Sequence, residues 1–83
     1  MPEKQHVLLE LLQRSGARLH ALLVRVTLRE DVAEDLLQEL FLRLDASAGF
    51  YEASSREAYA QTAAIRLAFD WRRARGAAGR DVG

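Results

Sequence analysis

The chain has no cysteine. This excludes a disulfide framework, a thiolate metal site and a cysteine nucleophile together. It suits a reducing compartment, and a cytoplasmic setting is expected. Proline occurs once and glycine five times, so little interrupts the chain from within. No apolar run approaches the roughly 18 residues that a membrane span needs. Met1 to His6 is polar and does not read as a signal peptide. β-Branched residues are few, whereas leucine, alanine, arginine and glutamate dominate. That composition favours an all-helical fold.

The length is 83 residues, with 49% apolar and 29% charged side chains, which is the balance of one globular domain. A chain of this size buries roughly 60% of its extended surface on folding, enough for a small core. Net charge is zero, but the zero is a cancellation. Between Arg29 and Asp45 there are six acids (Glu30, Asp31, Glu34, Asp35, Glu39, Asp45) against Arg29 and Arg43. Between Arg66 and Arg80 there are five arginines (Arg66, Arg72, Arg73, Arg75, Arg80) against Asp70. One acidic and one basic segment suggest two different partner surfaces.

Four helical segments are predicted, at about 3–14, 17–28, 30–45 and 55–75. They form a compact bundle of three to four helices in a single domain. Val7, Leu8, Leu11 and Leu12 give the first an apolar face, and Pro2 stands where a helix start tolerates it. Ser15-Gly16 reads as a break, or as a kink in one long helix. Leu19, Leu22, Leu23 and Val26 form the core face of the second. Thr27-Leu-Arg-Glu30 reads as a capping box for the third, with Asp31-Val-Ala-Glu34 as a competing start. Val32, Leu36, Leu37, Leu40, Phe41 and Leu44 make the apolar stripe of the third, with Asp31, Asp35, Gln38, Glu39 and Leu42 on its other side. Residues 46–54 read as a loop containing two adjacent aromatics, Phe50 and Tyr51. Ser54 or Ser55 caps the fourth segment, whose inner face is Ala60, Ala63, Ala64, Leu67, Ala68 and Trp71. Gly76-Ala-Ala-Gly79 is expected to end it, leaving a frayed tail at 76–83.

No catalytic constellation is present, so an enzyme is not expected, nor a metal or other cofactor. His6 and His20 are isolated and assigned to different helices, and no acid stands at ligand spacing to either. No glycine-rich loop opens a helix to receive phosphate.

Two stretches carry a family resemblance. Asp31-Val-Ala-Glu-Asp-Leu-Leu-Gln-Glu-Leu-Phe-Leu-Arg-Leu44 resembles the acidic helix in region 2 of bacterial extracytoplasmic-function sigma factors. Ala58-Tyr-Ala-Gln-Thr-Ala-Ala-Ile-Arg-Leu-Ala-Phe-Asp-Trp-Arg-Arg73 resembles the promoter-reading helix of that region. The resemblance spans about residues 8 to 75. It implies a domain that binds core RNA polymerase and recognises and melts the −10 promoter element. It implies that Asp35, Gln38 and Glu39 dock on the clamp helices of the largest polymerase subunit. It also implies that the loop before the last helix captures an unpaired base of the non-template strand. Phe50 and Tyr51 are the stacking or pocket candidates there, the alternative being that one of them fills the core. Tyr59 matches a Trp/Tyr position near the melted strand, and Arg66, Arg72, Arg73 and Arg75 would meet phosphates. By the same resemblance an anti-sigma factor would cover this surface.

Some positions depart from the family pattern. Arg66 stands where an asparagine is usual, and Ala63-Ala64-Ile65 replaces Ile-Ala-Arg. Arg56-Glu57 stand where an aromatic before arginine is usual. The family's −35-reading helix-turn-helix has no counterpart in these residues, so the chain is expected to be one domain of a longer protein or a single-domain relative. The neutral charge and Arg66 favour a rival reading, a sigma-like interaction or homodimerisation module without promoter recognition.

Overall fold

The computed structural model describes the backbone of residues 2–82 and the side chains of residues 5–75. Among these there is no strand, and the fold is an all-α bundle. Helix α1 spans Pro2–Thr27, α2 Glu30–Asp45, α3 Ala48–Glu52 and α4 Arg56–Val82. Helix α1 packs along both α2 and α4, and the short α3 lies against α4 and α2. No described helix is long and apolar enough to cross a membrane.

The core is built of leucines on α1 and α2 and alanines on α4. Leu19, Leu23, Leu40, Leu44, Ala60, Ala64 and Ala68 are all at or near zero exposure. The alanine stripe lets α4 come close to its neighbours, while the leucines supply most of the apolar area. Each fully buried leucine contributes about 1.5–3 kcal/mol.

The segments expected at 3–14 and 17–28 are one helix. Ser15 is buried, and its hydroxyl donates to Glu57 Oε1 at 3.0 Å across the α1–α4 interface. Arg18 Nη1 donates to the same oxygen at 3.0 Å. Gly16 is helical and buried. A mid-helix glycine costs roughly 1 kcal/mol, which the burial of Leu11, Leu19 and Leu23 outweighs several-fold. His6 and His20 therefore share α1 rather than standing on different helices.

Neither expected capping box closes α2. Its N-cap is Arg29, in extended backbone with no side-chain cap. Thr27 is buried and serves the end of α1: its hydroxyl donates to the Leu23 carbonyl at 2.8 Å and accepts from the Arg29 N–H at 3.3 Å. Leu28 turns the chain at φ 61°, in the left-handed region. Arg29 donates to both oxygens of Asp31, at 3.2 and 2.8 Å. That pairing holds the Asp31 carboxyl below its ordinary value of 3.8. A lowered folded-state value means the pair contributes stability above pH about 4 and loses it as acid protonates the carboxyl. The pair is exposed, so the contribution is small.

The loop expected at 46–54 contains α3. Ser47 caps it, accepting from the Phe50 N–H at 3.1 Å. Ser55 caps α4 through the Ala58 N–H at 3.2 Å. Helix α4 does not stop at Gly76. A glycine ends a helix by entering the left-handed region, and no described glycine does so. Of the tail expected to fray, the side chains of 76–83 and all of Gly83 lie outside the described residues.

Gly16→Ala is expected to raise stability by about 0.5–1 kcal/mol, since alanine regains helix propensity. The new Cβ would stand 3.0 Å from Leu12 Cδ1, the far end of an exposed side chain that can yield. A urea titration checks it: the midpoint should rise with the slope unchanged.

Candidate functional site

The connection between α2 and α4 forms one wall of a cleft of about 940 Å³. Arg43 and Leu44 bring α2 to it, Ser47 and Gly49 bring the connection, and Tyr59, Thr62, Arg66 and Asp70 bring α4. The α4 residues recur at three- and four-residue intervals, so the helix aims them to one side.

Four bonds fix the connecting wall. Ser47 Oγ and Tyr59 Oη are hydrogen-bonded at 3.0 Å. The Tyr51 hydroxyl donates to Asp45 Oδ1 at 3.2 Å. Arg56 Nη2 donates to the Tyr51 carbonyl at 3.0 Å. The fourth is the Ser47 cap of α3. Burial, then the Asp45 carboxylate, pushes the Tyr51 phenol above its ordinary value, so it stays a protonated donor near neutral pH.

Phe50 corrects an expectation. It has no exposed surface, and it is the largest of the fully buried side chains. Its ring meets Tyr51 edge-on at 5.0 Å and lies 6.0 Å from the Tyr59 ring, tilted. It cannot stack on a base without leaving the core, so Phe50 is an anchor rather than a DNA contact. Tyr51 is half-buried and does not line the cleft.

The remaining DNA candidates separate into two groups. Tyr59, at 38% exposure, and Arg66 line the cleft. Arg73 follows two turns beyond Arg66 and pairs with Asp70, the partner that spacing also offered to Arg66. Arg66 forms no ion pair among the described residues. Arg72 and Arg75 stand on the other flank of α4, where the Arg75 guanidinium lies 5.4 Å from the Trp71 ring centroid.

Asp35, Gln38 and Glu39 are all exposed along one edge of α2. Glu39 Oε2 accepts from Arg43 Nη2 at 3.0 Å, so this edge touches the rim of the cleft through Arg43. Gln38 also borders an apolar groove between α1 and α2, lined by Leu9, Leu12, Phe41 and Leu42. Leu42 is 72% exposed and continues the edge one turn beyond Gln38 and Glu39.

Reading the sequence did not single out Arg43, Ser47 or Thr62 for the cleft. Thr62 could have been found by stepping three residues along α4 from Tyr59. Ser47 carried a capping signal only if the loop is known to hold a helix. Nor did it single out Phe69, an aromatic 49% exposed between Arg66 and Arg72–Arg73.

The family described as Sigma-70 region 2 matches residues 11–78. Neither a curated protein nor a solved structure matches the chain. The family match takes in most of α1, all of α2 and α3 and the greater part of α4, and the chain belongs to the Sigma-70 region 2 family. Membership carries the role of sigma region 2 in RNA polymerase binding and promoter recognition.

Gly49 sets the geometry of the cleft wall. A Cβ there would stand 3.2 Å from Tyr59 Oη and 3.6 Å from Ser47 Oγ. Gly49→Ala should push the tyrosine hydroxyl off the serine and cost about 1 kcal/mol. In a Tyr59→Phe background the same alanine should cost clearly less, and a double-mutant cycle by denaturation measures the difference.

Proposed function

We propose that this sigma region 2 domain is of the extracytoplasmic-function type, docks on core RNA polymerase through α2, and captures the unpaired −10 non-template strand in the cleft between α2 and α4. The observation that carries the reading is the division of the surface. An exposed polar edge stands on α2, and a separate cleft is lined by arginines from α2 and α4.

The docking edge is Asp35, Gln38 and Glu39, extended by Leu42. Two acids and an amide on one helix edge suit basic and amide partners on a facing helix. The adjoining groove at Leu9, Leu12, Phe41 and Leu42 offers apolar area that a protein partner would cover. The partner is the clamp-helix segment of the largest polymerase subunit. An anti-sigma factor would compete for the same edge.

The cleft serves the strand. A single strand is held by a basic track for phosphates and by aromatic faces for bases. Arg43 and Arg66 supply the charge on opposite walls, and Tyr59 supplies the ring. Arg73 extends the track along α4. Ser47, Thr62 and the Tyr59 hydroxyl add polar groups that can meet a base edge. No bond is made or broken in this work. Melting draws its free energy from bases captured and phosphates neutralised, so the domain acts without catalysis and in the cytoplasm, where polymerase is.

A second reading is a sigma-like interaction module without promoter recognition. The exposed apolar groove between α1 and α2 favours it.

A pull-down of core polymerase separates these readings. Wild type should retain polymerase, and Asp35→Ala/Gln38→Ala/Glu39→Ala should lose it with helicity unchanged. Equal retention by the triple variant would sink the docking assignment. In parallel, a −10 non-template oligonucleotide should bind with a salt slope of about −0.7 per phosphate contacted. Tyr59→Ala should weaken that binding roughly tenfold or more, as loss of one stacked base does. Polymerase retention without salt-dependent oligonucleotide binding would favour the interaction module.

A further inference from the structure

Seven large hydrophobic side chains are exposed among the described residues, and five of them gather in two places. Leu9, Leu12 and Leu42 stand in the groove of about 630 Å³ between α1 and α2, beside half-buried Leu8 and Phe41. Ile65 and Phe69 stand on α4, 37% and 49% exposed. Each follows a buried alanine, Ala64 and Ala68, by one residue, and so is turned about 100° out of the core. Four residues apart, they lie one above the other as a ridge on the helix surface. Neither lines the cleft.

The two places carry opposite charge. Asp45 lines the groove, and Asp35 and Glu39 are exposed beside it on α2. Arg43 pairs with Glu39, which leaves Asp35 and Asp45 without an ion pair among the described residues. Arg66, Arg72 and Arg73 flank the ridge on α4. Asp70 pairs with Arg73, which leaves Arg66 and Arg72 without an ion pair among the described residues. An apolar groove bordered by acids and an apolar ridge bordered by arginines are complementary surfaces. The net charge of the chain is zero, so no long-range repulsion keeps two copies apart.

The placement of the two surfaces decides how copies meet. Helices α1, α2 and α4 each pack against the other two. The groove between α1 and α2 therefore faces away from α4, and the ridge of α4 faces away from α1 and α2. One chain cannot close its own ridge into its own groove. We propose that the Ile65–Phe69 ridge of one copy docks in the α1–α2 groove of a second copy, head to tail. A heterologous contact between opposite sides of a molecule repeats, so it builds open chains rather than a closed dimer. One helix ridge in one groove is a small interface, so the association is weak and depends on concentration. It covers the groove beside Asp35, Gln38 and Glu39. Assembled copies are thereby withheld from polymerase. That consequence rests on the docking edge proposed above, whereas the association rests on the two surfaces alone.

The test is sedimentation of the whole chain. The weight-average mass of wild type should climb from monomer past dimer between about 10 μM and 1 mM. It should fall back toward monomer in 1 M salt, where the Debye length is about 3 Å. Leu9→Gln/Leu12→Gln removes the groove, and Ile65→Gln/Phe69→Gln removes the ridge. All four positions are exposed and glutamine is a good helix former, so helicity should hold. Each variant alone should stay monomeric over the same range. Mixed in equal amounts, the two should form dimers and nothing larger, because one supplies the ridge and the other the groove. That recovery also shows that both variants are folded. The interface is refuted by a wild type that stays monomeric throughout, or by association that salt leaves unchanged. A dimer of either variant alone refutes it too, as does a mixture that stays monomeric. Polymerase retention is read separately, at concentrations where wild type associates. There Ile65→Gln/Phe69→Gln, which keeps the docking edge, should be retained in larger amount than wild type. Equal retention would overturn the withholding and leave the interface standing. Retention of neither would overturn the docking edge, and the withholding with it.

Discussion

The whole site depends on one buried ring. Phe50 sits at zero exposure beneath a short helix that has only five residues and could not persist alone. Burying a phenylalanine contributes roughly 1.5–3 kcal/mol, far more than any hydrogen bond at the surface of this segment. The ring therefore holds α3 down, and α3 holds Ser47, Gly49 and the Tyr51 carbonyl where α4 can meet them. Ser47 and Arg56 then close the segment against Tyr59 and Tyr51. Without the anchor these would be exposed, weak and unaligned contacts. With it they make a rigid wall, and a binding cleft needs a wall that is fixed before the ligand arrives.

Helix α4 meets two demands on opposite sides. Its inner stripe is mostly alanine with Leu67 buried among them, so it gives modest apolar area of its own and relies on the leucines of α1 and α2. In exchange its axis lies close to theirs, and its outer surface is left for other work. That surface carries Tyr59, Arg66, Phe69 and Arg72, all exposed, with Ile65 among them. A helix that buried large residues inward would stand further out, and α2 and α4 could not share one cleft. The Ser15 hydrogen bond and the Arg18 ion pair, both to Glu57 Oε1, fix the near end of α4 against α1.

How far the sequence is legible follows from whether the signal is periodic or single. Helix α2 is read at its observed bounds because six apolar residues repeat along one face and acids fill its first turn. The edge of Asp35, Gln38 and Glu39 follows from the same periodicity, which is why its exposure is no surprise. Single-residue signals fare worse. Ser15-Gly16 looks like a break because serine and glycine punctuate chains locally, yet here the buried serine finds a partner 42 residues away. Thr27 offers a cap to α2 and instead closes α1. Leu28 in the left-handed region has no local signature, since leucine is among the residues least suited to it. Phe50 and Tyr51 are adjacent, so one must face inward and the other along the surface. Phase in a five-residue helix decides which, and that helix is itself fixed by tertiary packing. The division of the arginines is a matter of phase too: Arg72 and Arg73 are neighbours in sequence and point about 100° apart on the helix.

Net neutrality does not weigh against a nucleic-acid surface in a fold of this kind. At physiological salt the Debye length is about 8 Å, shorter than the breadth of one helix with its side chains. A phosphate in the cleft therefore feels chiefly the groups that line it and, of the acids on the outer edge of α2, Glu39 through Arg43. Those groups are Arg43, Arg66 and Asp70, and two of the three are partly spoken for: Glu39 pairs with Arg43, and Arg73 pairs with Asp70. Both pairs are exposed, and an exposed pair at this helical spacing is worth only about 0.3–0.5 kcal/mol. Arg43 can turn from Glu39 to a phosphate at little cost, and Arg73 already offsets the one acid in the cleft. Arg66, which also lines the cleft, forms no ion pair among the described residues. The same residue that breaks the family's asparagine pattern thus supplies the charge that the overall balance lacks.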